Sequence, residues 1–251
     1  MKKLLLIALL IVGCEENPVN DTAKDTYSDD IADVSYLNGS FFTTNYDLSN
    51  NAGSQIDLMK FYYENDTTVY IDDSYDLNMN GQGYLALDND GVDLYLQSRI
   101  SFLLIKSSAI GEHITIVLDT ISSNWQPSGI TFQSITDSIV TIYRNLNELS
   151  QYRARTISKD LSFSSVKDVI FNFDFIDTTY HGVYAIESKG SLFFMLGADT
   201  TKTDILIITN NAFQVTSLDT IPDSTVVGLC FKDDDLFLSY RNRKIKKWKT
   251  Y

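Results

Sequence analysis

From about residue 34 the chain is a succession of short apolar runs with polar breaks. Ile139-Val140-Thr141-Ile142-Tyr143 and Ile205-Leu206-Ile207-Ile208-Thr209 are rich in β-branched and aromatic residues, and clusters of Asn, Asp, Gly and Ser separate such runs. No stretch sustains a 3.6-residue period. The nearest, Leu146, Leu149 and Tyr152, fits a turn between two strands equally well. The pattern predicts strands joined by tight turns.

The runs recur as a unit. Gly83-Tyr84-Leu85-Ala86-Leu87 precedes the turn Asp88-Asn89-Asp90-Gly91 and then Leu94-Tyr95-Leu96. Gly129-Ile130-Thr131-Phe132, Gly182-Val183-Tyr184-Ala185-Ile186 and Gly228-Leu229-Cys230-Phe231 open similar copies, with the glycines 46, 53 and 46 residues apart. A weaker copy comes first: Val34 to Tyr36, the turn Asn38-Gly39, then Phe41-Phe42. Further strand-like sequence before each next glycine makes about four strands per unit. A period in the forties with four strands resembles the blade of a β-propeller. The resemblance implies an all-β fold, a small propeller of five blades of about four antiparallel strands over residues 34–251. A β-sandwich or an irregular β-solenoid is the alternative. The 53-residue interval fits a loop insertion near Asp174 to Thr179.

The last unit has room for only about three strands. Arg241, Arg243, Lys244, Lys246, Lys247 and Lys249 put six bases into nine residues there, while Asp21 to Asp33 is acidic. Opposite charges on neighbouring strands attract, so part of residues 22–35 is expected to pair with 243–250 and complete the blade. Two alternatives are a basic patch for phosphate or lipopolysaccharide, and a lysine-protected edge strand.

The N-terminus reads as an address. Lys2 and Lys3 precede an apolar run of nine residues, Leu4 to Val12, then Gly13 and Cys14. A run this short does not span a bilayer as a helix and has the layout of a secretory signal. Ile11-Val12-Gly13-Cys14 resembles the lipobox of bacterial lipoproteins. The resemblance implies cleavage of the signal peptide, residues 1–13, and lipidation of Cys14. It also implies localisation to a bacterial cell envelope, at the periplasmic or surface face of a membrane. The alternative is an ordinary signal peptide with an incidental cysteine. Residues 14–33 then read as an acidic tether, with seven acids from Glu15 to Asp33 against Lys24 alone.

Composition narrows the function. The net charge of −13, from 33 acids and 20 bases, argues against nucleic acid as a partner. Two cysteines more than 200 residues apart make no disulfide framework. Neither histidine, His113 nor His181, has metal ligands at zinc spacing, so no metal and no cofactor are expected. Cys230 reads as a small buried side chain. Asp88 to Asp93 and Asp233 to Asp235 read first as turns and only second as calcium loops. Three residues are candidate ligand contacts: His181 and Tyr180, at a strand entry bordering a channel rim, and Trp125, expected to be an exposed ring in a loop. Five-bladed propellers include glycosidases, which carry an inward acid on each of several blades. The openings of the inner strands listed above carry none. The sequence therefore favours a non-catalytic binding or scaffold module with an envelope protein or glycan as partner. The alternative is a carbohydrate-active enzyme using a carboxylate pair in the channel.

Overall fold

The computed structural model describes residues 31–45, 57–64, 68–76, 85–98, 102–108, 114–179, 182–222, 225–241 and 244–251. All regular structure among them is strand, in five antiparallel sheets. Blade 1 comprises β1 (Ile31–Leu37), β2 (Ser40–Asn45), β3 (Asp57–Glu64) and β4 (Thr68–Asp76). Blade 2 holds β5 (Leu85–Asn89), β6 (Asp93–Ser98), β7 (Leu103–Ser108) and β8 (Ile114–Leu118). Blade 3 holds β9 (Trp125–Gln133), β10 (Ser138–Asn145), β11 (Gln151–Ser158) and β12 (Lys167–Asn172). Blade 4 holds β13 (Val183–Lys189), β14 (Leu192–Ala198), β15 (Asp204–Asn210) and β16 (Val215–Thr220). Blade 5 holds β17 (Val226–Lys232), β18 (Asp235–Tyr240) and β19 (Lys244–Thr250). Each blade is a meander, so its first strand lies innermost.

The inner strands close a ring. β1 packs on β5, β5 on β9, β9 on β13, β13 on β17, and β17 back on β1. Every blade–blade interface has its own buried apolar cluster, because a sheet with two apolar faces needs a neighbour on each. Between blades 3 and 4, for example, Phe213 stacks with Phe171 at 4.4 Å and with Phe193 at 4.8 Å. The fold is the five-bladed β-propeller expected from the repeats.

The structure changes three details of that expectation. First, the anchor glycines are not one structural position. Gly129 and Gly228 sit four residues before Gln133 and Lys232, which close their hairpins, whereas Gly182 sits seven before Lys189. Second, β1 begins at Ile31, so residues 31–33 stand in the first strand and not in the tether. Third, residues 31–35 do not pair with the basic C-terminal strand. They form the inner strand of blade 1 beside β2, while β19 pairs with β18. The rest of the proposed partner, residues 22–30, lies outside the described residues. The insertion expected near 174–179 is present as the connection 173–182 between β12 and β13, where Phe173 and Ile176 are buried in the interface of blades 3 and 4.

Candidate functional site

Blade hairpins superpose on their closing turns. The turn Asn38-Gly39 has φ of 51° and 83°, the left-handed pair that suits the twist of a two-residue hairpin. Two residues before Leu37, Asp90, Gln133, Lys189 and Lys232, which close the five hairpins, stand Ser35, Asp88, Thr131, Glu187 and Cys230, one per blade. All five sit on the same face of their inner strands. A period-2 element requires this once the hairpins are in register.

Inner strands have one edge outside the sheet ladder, and buried N–H and C=O groups on that edge need partners. Polar side chains from neighbouring blades supply them. Asp33 Oδ2 accepts from Leu87 N at 3.2 Å, and its Oδ1 accepts from Val34 N at 2.9 Å. Asp88 Oδ2 accepts from Phe132 N at 2.6 Å and from the Thr131 hydroxyl at 2.8 Å. The Asn89 amide donates to Ser35 Oγ and Tyr36 O. Ser128 donates to Val183 O, Ser188 donates to Phe132 O at 2.6 Å, and Tyr152 Oη accepts from Val183 N at 3.1 Å. Blades 1 to 2, 2 to 3, and 3 to 4 are thus stitched close to the axis by side chain to backbone bonds.

The stitching gathers acid. Asp33, Asp88 and Glu187 are 1%, 2% and 8% exposed. Burial lifts Asp88 to about 6 despite the donors on it. Burial, then the charges of Asp88 and Asp33, hold Glu187 well above the usual carboxylate range. Burial and the same three carboxyls push up the Cys230 thiol, which keeps it un-ionised. Glu187 Oε2 has no hydrogen-bond partner among the described residues. Asp33, Asp88 and Glu187 thus form a cluster of three buried carboxyls, in which the charges of the other two help to raise Glu187. The expectation that inner strands bring no acid to the axis is overturned. The signal was available at the turn end of each copy, in Asp88 before Asn89-Asp90-Gly91 and Glu187 before Ser188-Lys189-Gly190. Reading only the openings of the strands missed it.

Trp125 is not the exposed ring that was expected. It begins β9, is buried, and carries the Arg153 guanidinium 4.3 Å from its ring centroid. β9 runs past Pro127 because it bulges at Ser128, opposite the Ile142/Tyr143 step of β10, and so keeps pairing. Nearby, Asp119, in the connection from blade 2, accepts from the Tyr143 hydroxyl and from Arg155 Nη1 at 2.5 Å. Arg155 also grips Asp168 through Nε at 3.0 Å and Nη2 at 3.2 Å. Trp125 thus belongs to a buried structural network. Tyr180, His181, His113 and Cys14 lie outside the described residues. Asp90 to Asp93 form the turn that was read from sequence: Asp90 Oδ1 accepts from Val92 N and Asp93 N, and Asn89 Oδ1 from Gly91 N. No group of His, Cys, Asp and Glu suited to hold a metal ion occurs among the described residues.

A ring of five four-stranded or three-stranded blades around a polar axis defines the class: a five-bladed β-propeller. No protein-family model matches the chain, and no curated protein matches it. Solved structures do. The chain is similar to glutaminyl cyclase from Myxococcus xanthus at a TM-score of 0.61 and 12% identity, over 88% of this chain and 90% of that one. It is similar to a GH43_1 enzyme from Xanthomonas citri at 0.57 and 7%, over 87% and 86%. A chain of a nidogen/laminin complex matches at 0.53 and 12%, over 84% and 72%. Two of these are enzymes and the third belongs to a protein complex, so the likeness carries the fold and no single activity.

Proposed function

We propose that this chain is a lipid-anchored lipoprotein of a bacterial envelope, held at Cys14, whose propeller is a non-catalytic docking module for a protein partner. The observation that supports docking is the outer rim. β8, β12 and β16, the last strands of three successive blades, expose Ile116 and Leu118 (51% and 62%), Ile170 (56%) and Leu218 (47%). Apolar side chains on outer strands with a free edge suit strand addition by another chain. At the axis, by contrast, the carboxyls are buried, and those of Asp33 and Asp88 are spent on the inner strands of neighbouring blades.

The test places a photo-crosslinking residue at position 116, 170 or 218 of the full lipidated chain in native cells, with position 160 on an exposed turn as control. The same envelope protein captured from the rim positions, not from the control, and lost with Ile116→Lys, is the expected result. No adduct at any rim position would overturn the docking reading. Failure to label the chain with palmitate at Cys14 would overturn the anchor.

A second reading rests on the raised Asp88–Glu187 pair, since a protonated acid beside a carboxylate is the equipment of glycoside hydrolysis. It requires the axis to open to a sugar. Hydrolysis of any member of a glycoside panel, abolished by Glu187→Gln, would favour this reading over docking.

A further inference from the structure

We propose that β8 is the edge by which two copies of this chain pair, antiparallel about a two-fold axis at Ile116. The proposal rests on the docking reading of the rim and names the partner of one of its strands. β8 has β7 as its only paired neighbour among the described residues. Of the last strands of the five blades, it alone holds no charged residue. β4 carries Asp72, Asp73 and Asp76, β12 carries Lys167 and Asp168, β16 carries Asp219, and β19 carries Lys244, Lys246, Lys247 and Lys249. Charges on an edge strand keep other chains off, so their absence marks β8 as the edge left open. Its side chains sort by face. Ile116 and Leu118 stand opposite Ile105 and Leu103, in and against the apolar cluster between blades 1 and 2. Val117, on the other face, packs on the cluster between blades 2 and 3. Ile114, Ile116 and Leu118 therefore make one stripe, 39%, 51% and 62% exposed, that carries an inter-blade cluster out to the rim.

Charge selects the occupant. At a net charge of −13, two copies repel each other over most of their surface. Across a two-fold axis, a charge on the shared strand stands near its own like. Self-pairing of β4 would set aspartates against aspartates, and of β19 lysines against lysines. β8 sets no charge there. Its pattern also survives reversal. With Ile116 opposite Ile116 of the partner subunit, Ile114 stands opposite the partner's Leu118 and Thr115 opposite the partner's Val117. Apolar or β-branched side chains then meet at every position, on the matching face. Two blades join into one eight-stranded sheet with a continuous apolar stripe. A pairing of five residues buries less than about 1,200 Å², the size of a transient interface. Anchoring both copies to one membrane raises their effective concentration and strengthens it.

The experiment uses the full mature chain with Cys14→Ser, which removes the lipid. Sedimentation velocity is expected to show a dimer that grows with concentration. Ile116→Lys, at an exposed position, is expected to weaken it at least about tenfold by setting two like charges on the axis. Oxidation with copper-phenanthroline reads the register. Ile116→Cys is expected to cross-link to itself, and Ile114→Cys to cross-link with Leu118→Cys in a mixture faster than with itself. Asp160→Cys, on an exposed turn, is the control, and Cys230 is buried and stays out of the reaction. A chain that remains monomeric up to about 1 mM overturns the proposal. So does a dimer indifferent to Ile116→Lys, or an Ile116→Cys chain that cross-links no faster than Asp160→Cys. A different protein captured at position 116 in cells, by a chain monomeric in solution, overturns it and leaves the docking reading standing. Capture of nothing at any rim position overturns both.

Discussion

Gly228 makes room for Asp33. A Cβ on Gly228 would stand 2.3 Å from Asp33 Oδ1, 2.7 Å from Asp33 Cα and 2.7 Å from Ser239 Oγ. A carboxylate tip can swing aside, but the Asp33 backbone belongs to a paired inner strand and cannot. Gly228→Ala is therefore expected to cost about 2–3 kcal/mol through overpacking at the contact of blades 5 and 1. Urea unfolding of the variant measures this, and an unchanged midpoint would show that the two strands separate freely. The sequence marked Gly228 as a repeat anchor without showing why. The reason is a contact nearly 200 residues away along the chain, which a local pattern does not carry. Trp125 failed for a related reason. Its neighbourhood of Asn124, Gln126 and Pro127 looks like a loop, and only the pairing of β9 with β10 and the cation above its ring bury it.

At the scale of elements the hairpins were legible, because the turn chemistry of Asn38-Gly39, Asp90-Gly91, Lys189-Gly190 and Asp233-Asp234 is local. Links between blades were not. Asp119, in the connection after β8, joins blade 2 to Arg155 of blade 3, with side chains 0% and 10% exposed. Nothing in the sequence pairs residues 119 and 155. Removing one partner of a buried pair leaves the other charge uncompensated, although Asp168 still holds Arg155. Asp119→Ala is expected to lower stability by about 3 kcal/mol, and the double variant Asp119→Ala, Arg155→Met to cost less than the sum of the two single changes. A double-mutant cycle in urea reads this coupling, and strict additivity would mean that the two side chains stabilise their blades separately.

For the molecule as a whole, five wedges around an axis concentrate inner-strand side chains in one place, so acids dispersed in sequence at 33, 88 and 187 become one buried cluster. In the unfolded chain Asp88 and Glu187 have ordinary carboxylate values near 4. In the folded chain both are raised, Asp88 to about 6. The folded state therefore binds more protons between these values, and stability present below about pH 4 is lost as pH rises through 6 and beyond. The opposite sign belongs to Asp160, Asp199 and Asp235. Hydrogen bonds from Ser158, Thr201 and Lys247 respectively lower these surface acids, of which Asp199 and Asp235 are half-buried, and their contribution fades in stronger acid. The two trends together place maximum stability in mildly acidic solution, in spite of the net charge of −13 that 33 acids and 20 bases give the chain. Glu187→Gln removes the ionising group, so it is expected to flatten the profile and to stabilise the protein at pH 8 while changing it little at pH 5. Thermal unfolding of the parent and variant from pH 4.5 to 8.5 provides the comparison. Parallel profiles would mean that Glu187 reaches solvent and ionises normally, and an axis open to water would in turn revive the case for a catalytic carboxyl pair.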